Sequence, residues 1–282
     1  MRNLRQARAA LAGGYRAGRR DLPWRRTRDP WRILVSEVML QQTRAAVVAP
    51  YYERFVEKYP AAEALAAAPE QELLAQWSGL GYYRRARNLQ AAAREVAARG
   101  GFPREYEEIR ALPGVGEYTA AAVASIAFGL PHAALDGNVA RVLSRAFAER
   151  GVIQTQEARA RLKERARRLL DEANPGDFNQ ALMELGATVC LPRNPRCLLC
   201  PWRDQCAARA AGLEQVLPVK GRRREPVRLE LTLCLAERGR TVLLRQREAG
   251  AARLAGFWGL PEGRGVPRAG VGGGPGWVSA FA

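Results

Sequence analysis

No apolar run in this 282-residue sequence approaches the roughly twenty residues that a membrane-spanning helix requires. The N-terminus, MRNLRQARAALAGGYRAGRR, also lacks the apolar core of a signal peptide and reads as a basic amphipathic helix. Both absences point to the cytoplasm. Histidine occurs once, as His132 behind a proline, which sets histidine aside as a general base. Strand-like alternation is missing before residue 226. Negative charge is in deficit: 28 Asp+Glu face 45 Lys+Arg, mostly arginine, for a formal charge of +17. On a globular chain such an excess points to a polyanion, because each neutralised phosphate releases counterions. An arginine bias of a GC-rich genome gives the same composition, so charge alone leaves both readings open. Apolar residues make up 48%, enough to exclude a mostly disordered chain.

What is present from about residue 29 to 210 is helical patterning. Asp29 and Pro30 form a cap and first helical position, followed at helical spacing by Trp31, Leu34, Val35 and Val38. A second helix is expected from near Thr43, with Val47, Val48, Tyr51, Tyr52 and Phe55 buried. Pro60, Pro69, Gly79, Gly101 to Pro103, Pro113, Pro131, Gly151 and Pro175-Gly176 divide the rest into short helices. The expected organisation is an all-α domain over 1–212, a basic linker over 213–228 and a strand-forming segment over 229–263. Val227 to Leu235 and Thr241 to Leu244 read as strands, with Cys234 buried in the first. The glycine-rich stretch 264–282 is given no packed structure.

Cys190, Cys197, Cys200 and Cys206 fall within seventeen residues as C-x6-C-x2-C-x5-C. Four thiols so close suggest a metal centre rather than disulfides. Structural zinc sites pair two C-x2-4-C knuckles, and only the central pair here has that spacing. The wide outer gaps fit better around an iron–sulfur cubane. Arg193, Arg196 and Arg203 make the same loop basic, suited to phosphates.

Leu112-Pro-Gly-Val-Gly-Glu-Tyr-Thr119 joins two helical segments. Gly114, Val115 and Gly116 can turn backbone amides outward just before a helix N-terminus, which makes an anion nest for a DNA phosphate. Glycine alone is also usual in ordinary helix–helix turns. One helix later stands Leu135-Asp-Gly-Asn-Val-Ala-Arg-Val142, where Asp136 is in N-cap position. A carboxylate there, facing a DNA groove, would also stabilise the oxocarbenium-like state of glycosidic cleavage. Glu37 interrupts an apolar helix between Val35 and Val38. Buried, it would have a raised pKa and suit a general acid; on a solvated stripe it would not, and periodicity decides neither.

Together these elements resemble the MutY adenine glycosylases and, more widely, the endonuclease III superfamily. The matching stretches are Pro23-Trp24-Arg25, Ser36 to Thr43, Gly79 to Asn88, Leu112 to Thr119, Leu135 to Val142, Phe178 to Gly186 and the four cysteines. They cover roughly residues 20 to 210. The resemblance implies an all-α helix-hairpin-helix glycosylase holding a [4Fe–4S] cluster on its four cysteines, followed by an incomplete MutT-like α+β segment. It implies a monomer that acts on double-stranded DNA and hydrolyses adenine from opposite 8-oxoguanine or guanine. Endonuclease III-like lyases carry a lysine where this chain has Tyr118, so no Schiff-base amine stands there and a monofunctional enzyme is expected.

The same resemblance implies the roles of individual residues. Glu37 would protonate adenine and Asp136 would stabilise the sugar cation, with Tyr118 and Asn138 orienting them. Trp24, Arg25, Leu40 and Gln180 would line the pocket for the flipped base. Gln42 and Tyr82 would enter the duplex to fill the space it leaves. Leu231 to Leu244 and Leu254 to Glu262 resemble the opening strands of a MutT-like domain. Its remaining elements and any Nudix box are absent from these residues, so diphosphate hydrolysis is not expected and discrimination for 8-oxoguanine is left open. The competing readings are an endonuclease III-like glycosylase/lyase for oxidised pyrimidines and a non-catalytic iron–sulfur DNA-binding protein.

Overall fold

Caps and breakers divide the chain much as the sequence predicts. In the computed structural model the residues described are 3–221, 225–228, 230–248, 250–251, 254, 256–261 and 277–279. They fall into two units, Met1–Arg222 and Arg223–Ala282.

The first unit is helical: α1 (Leu4–Gly18), α2 (Pro30–Leu40), α3 (Ala45–Lys58), α4 (Ala62–Ala67), α5 (Glu70–Trp77) and α6 (Arg84–Ala98) come first. They are followed by α7 (Tyr106–Ala111), α8 (Glu117–Phe128), α9 (Gly137–Ala146), α10 (Gln156–Leu169), α11 (Pro175–Thr188) and the single turn α12 (Ala207–Ala210). Short 3-10 turns occupy Pro23–Arg26 and Cys197–Leu199. Asp29 caps α2 through its side chain, which accepts from the Arg32 amide at 2.8 Å, and Pro30 holds the first helical position.

Two apolar cores form. One gathers Trp24, Trp31, Leu34, Phe55, Trp77 and Leu89 around α2, α3, α5, α6 and α8. The other gathers Leu11, Val142, Leu162, Leu182 and Trp202 around α1, α9, α10 and α11. Each fully buried aliphatic or aromatic side chain contributes roughly 1.5–3 kcal/mol. Helix α8 is rich in alanine and is buried along most of its length. It packs on both α2 and α11, and so joins the halves. Trp202 ties the cysteine loop to α1 by donating from Nε1 to the Ala7 carbonyl at 2.8 Å.

Helix α3 begins at Ala45 and buries Val48, Tyr52 and Phe55, while Val47 is exposed, against expectation. The i, i+4, i+7 stripe through Val48 carries Val47 onto the flank. No helix among the described residues is long and apolar enough to cross a membrane.

In the second unit Thr241–Leu243 (β1) forms a strand close to the one expected. It pairs antiparallel with Glu237–Arg238 and with Trp277–Ser279, the latter inside the stretch given no packed structure. Arg245–Gln246 pairs with Trp258–Gly259. Of the strand expected over Val227 to Leu235, the described residues form only an isolated bridge at Leu233 and the bond from the Cys234 amide to the Pro261 carbonyl at 2.9 Å; Val227, Leu231, Leu233 and Leu235 are exposed, and Cys234 is half-buried. Alternation alone does not provide the cross-strand partner that a strand needs. Residues 262–276 and 280–282, with most of the glycine-rich stretch, lie outside the described residues.

Candidate active site

A cleft of about 1220 Å³ opens in the helical unit, lined by α2, α8, α9 and α11. It brings together Trp24, Arg25, Glu37, Leu40, Gln42, Tyr118, Asp136, Asn138 and Gln180 from separate stretches of sequence. Glu37 is buried, with 4% of its surface exposed, which settles the ambiguity left by periodicity. Burial pushes its carboxyl up to about 7, helped by the negative charge of Asp136 and opposed by the Tyr118 hydrogen bond and the Arg25 charge. Tyr118, in the first turn of α8, donates from Oη to Glu37 Oε2 at 2.6 Å. Burial and both carboxylates hold the phenol well above its ordinary pKa, so it stays a donor.

Asp136 caps α9, its Oδ1 accepting from the Val139 amide at 2.6 Å. Its Oδ2 accepts from Asn138 Nδ2 at 3.1 Å. Burial raises its pKa, with the backbone and Asn138 hydrogen bonds pulling the other way. The cap and the cleft-facing carboxylate are therefore one residue: the helix start aims it. Arg141 steadies this turn, donating from Nη2 to Asn138 Oδ1 at 2.8 Å and to the Gly186 carbonyl at 2.7 Å. Its Nε reaches the Cys190 carbonyl at 2.8 Å.

Trp24 is buried edge-on against Tyr52, with ring centroids 5.6 Å apart. Arg25 donates to Glu184 Oε2 at 2.7 Å, and Arg20 binds the same carboxylate through Nε and Nη2 at 2.9 and 2.7 Å. Burial alone would raise the Glu184 pKa, but these arginine hydrogen bonds outweigh it and hold the carboxyl down at about 2. Glu184 and Arg20 line the cleft and were not singled out from sequence. The signal was there for Glu184, a carboxylate inside an apolar helix one turn beyond Gln180.

Tyr82 does not line the cleft; it is 61% exposed on the loop before α6. The hairpin also lies apart. Gly114 adopts φ 75°, and a Cβ there would stand 2.6 Å from Asn88 Cβ, so both conformation and space require glycine. Val115 is buried and closes the turn through its amide to the Leu112 carbonyl at 3.0 Å. Gly116 is the N-cap of α8 and provides no side-chain cap, leaving the first amides of that helix open to an anion.

The four loop cysteines are free thiols, each half-buried. Burial raises Cys200 to about 11, and negative charge on Cys190, Cys206 and Cys197 pushes the same way. Arg145 donates from Nη1 to Cys190 Sγ at 3.3 Å and to the Leu191 carbonyl at 2.6 Å, fixing the loop. This all-thiol donor set fits an iron–sulfur cluster by its chemistry. Among the described residues no group of three or more His, Cys, Asp or Glu is arranged to hold a metal ion.

A model of the HhH-GPD superfamily of base excision DNA repair proteins matches residues 35–168. The adenine DNA glycosylase of Homo sapiens is 45% identical over 225 residues, covering 76% of this chain and 41% of its own length. That of Arabidopsis thaliana is 36% identical over 297 residues, covering 90% of this chain and 47% of its own. The chain thus spans less than half the length of these two relatives. Among solved structures, a thermostable thymine-DNA glycosylase is 34% identical with a TM-score of 0.68, covering 74% of this chain and 97% of that one. A non-covalent endonuclease III–DNA complex is 26% identical with a TM-score of 0.62, covering 76% and 99%.

Proposed function

The chain belongs to the HhH-GPD superfamily of base excision DNA repair proteins, and we propose that it hydrolyses the N-glycosidic bond of adenine in duplex DNA and leaves an abasic site. The observation that carries this reading is the pairing of Glu37, buried and protonatable near neutral pH, with Asp136 across one cleft. Protonated Glu37 donates to a ring nitrogen of the base and makes it a better leaving group. Ionised Asp136, aimed by the α9 N-terminus, stabilises the positive charge that develops on the sugar. Tyr118 and Asn138 hold these two carboxyls in place. With tyrosine rather than lysine at 118, the site offers no amine for a Schiff base, so strand cleavage is not part of the reaction.

Trp24, Arg25, Leu40 and Gln180 form the pocket for the extruded base, and Gln42 and Tyr82 enter the duplex where it leaves. Extrusion costs a few kcal/mol, which such a wedge partly offsets. The base opposite is 8-oxoguanine or guanine. The turn Gly114-Val115-Gly116 presents the open first amides of α8 to a backbone phosphate. Cys190, Cys197, Cys200 and Cys206 would hold a [4Fe–4S] cluster, which would make the basic loop rigid against phosphates. Residues 1–212 are the glycosylase domain, 213–228 a linker and 229–263 a partial MutT-like segment. The protein works as a monomer on the nucleoid, in the cytoplasm.

The test is excision from an adenine:8-oxoguanine duplex, developed with and without alkali. Strand breaks that appear only after alkali support the reading; breaks without alkali, or a borohydride-trapped adduct, overturn its monofunctional part. The likeness to a thymine-DNA glycosylase supplies a second arm, thymine opposite guanine. Thymine lacks adenine's basic N7, so Glu37 favours the purine, and faster release of thymine would sink the adenine assignment. Iron and sulfide analysis of the purified protein tests the cluster.

A further inference from the structure

Arg85 is a buried cation without a carboxylate. It is 9% exposed at the start of α6, and among the described residues no acidic side chain pairs with it. Its partners are backbone carbonyls from two separate segments. Nη1 donates to the carbonyls of Val38 at 3.1 Å, Met39 at 2.9 Å and Gln41, which end α2. Nη2 donates to the carbonyls of Leu80 at 3.1 Å and Gly81 at 3.2 Å, and to Thr43 Oγ1 at 3.3 Å. The guanidinium also lies 5.7 Å from the Trp77 ring and 5.3 Å from the Tyr82 ring.

Two of these carbonyls belong to the peptide units directly before Gln42 and Tyr82. Both residues sit in the left-handed region, at φ 57° and 50°, where non-glycine residues are strained. The orientation of a preceding peptide plane sets φ, so one guanidinium fixes the backbone of both. Both side chains are exposed, so backbone placement decides where they point. Only a planar, multi-donor fork can bind two sets of carbonyls at once; an ammonium is a point donor.

We propose that Arg85 is a positioning residue that locks Gln42 and Tyr82 into one duplex-entering unit, ready before DNA binds. The inference rests on the reading of this chain as a base-extruding glycosylase. It does not depend on which base is released. Arg85 touches no substrate; it removes the need to strain two loops at the moment the base leaves the stack.

The test uses the full chain and a duplex with 2-aminopurine at the target position opposite 8-oxoguanine, whose fluorescence rises when the base unstacks, whether or not any base is cleaved. With saturating wild-type protein the signal should rise. Arg85→Lys should lower that rise at least fivefold, and paired-adenine excision with it. Excision of adenine opposite an abasic site, where no base pair must be broken and no opposite base resists entry, should change less than threefold. Tyr82→Ala alone should reproduce this selectivity, and adding it to Arg85→Lys should cause no further loss. The proposal is overturned by no rise with wild type, by equal losses on both substrates, by an additive double variant, or by global unfolding of Arg85→Lys. The last would make Arg85 a core support rather than a clamp on two loops. Absent adenine excision by a wild type that still gives the fluorescence rise would instead count against the glycosylase assignment alone.

Discussion

The Tyr118 hydroxyl donates to Glu37 Oε2 at 2.6 Å, linking the first turn of α8 to the buried acid of α2. A hydrogen bond to a carboxylate favours its charged form, so this contact opposes the upward push of burial. Tyr118→Phe should therefore raise the Glu37 pKa further. Where protonated Glu37 is the active form, the alkaline limb of the single-turnover pH profile moves to higher pH. The plateau should fall by roughly fivefold, the worth of about 1 kcal/mol of lost positioning. A limb that moves to lower pH would show that the hydroxyl stabilises the neutral acid instead.

Glu37 itself should trade stability for activity. Its folded-state pKa, about 7, lies above the ordinary 4.5. A raised acid gives stability that is fully present below the unfolded value and lost as pH rises through the folded one. Wild type should thus lose on the order of 3 kcal/mol from this group between pH 4.5 and 7. Glu37→Gln has no such proton to lose. Its Tm relative to wild type should rise across that window and then level off, while base release falls by about a hundredfold or more. Thermal melts at half-unit pH steps check the first, and single-turnover excision the second. A constant Tm difference from pH 4 to 8 would mean that Glu37 is not buried as an acid.

These two residues show how far sequence reaches. Asp136 was legible as a cap because capping is local, and its backbone bond to Val139 is made within four residues. Glu37 was visible but undecided, since only α8 and Asp136, distant in sequence, determine its burial and charge. Glu184 carried the same signal but was overlooked. Arg85 could not be read at all: five of its six hydrogen-bond acceptors are main-chain carbonyls, which every residue has. The failure at Val227 to Leu235 has the same root, because side-chain alternation says nothing about which backbone will pair with it.

Glu184 supports a prediction opposite in sign to that for Tyr118. It neutralises Arg25, whose charge otherwise favours ionised Glu37. Glu184→Gln keeps the shape and removes the neutralising charge. The Glu37 pKa should fall and the alkaline limb of the pH profile should move to lower pH. Glu184 is itself depressed to about 2, so its stability contribution is present above pH 4.5 and lost as the pH falls towards 2. Between pH 5 and 3 the wild-type Tm should therefore drop more steeply than that of Glu184→Gln. Parallel acid-range melts would remove this carboxylate from the account.

The close approach of α9 to α11 at Gly186 should aim the Asp136 turn. Gly186 has ordinary helical backbone, so the demand for glycine here is spatial. A Cβ at 186 would stand 2.7 Å from Asn138 Cβ and 3.1 Å from the Asn138 carbonyl carbon and oxygen. Contacts that short force the helices apart, and overpacking of this kind costs about 1–3 kcal/mol. Displacement would fall on Asn138, the partner of Asp136, and on the Arg141 bond to the Gly186 carbonyl. Gly186→Ala should lower both Tm and the single-turnover rate while leaving duplex affinity nearly unchanged, because the hairpin at Gly114 lies apart from the cleft. Gly13→Ala provides the control: inside α1 its Cβ meets nothing within 4 Å, and helix propensity should raise stability by roughly 0.5–1 kcal/mol. If Gly186→Ala loses stability but keeps the full excision rate, the approach holds the helices together without aiming the carboxylate.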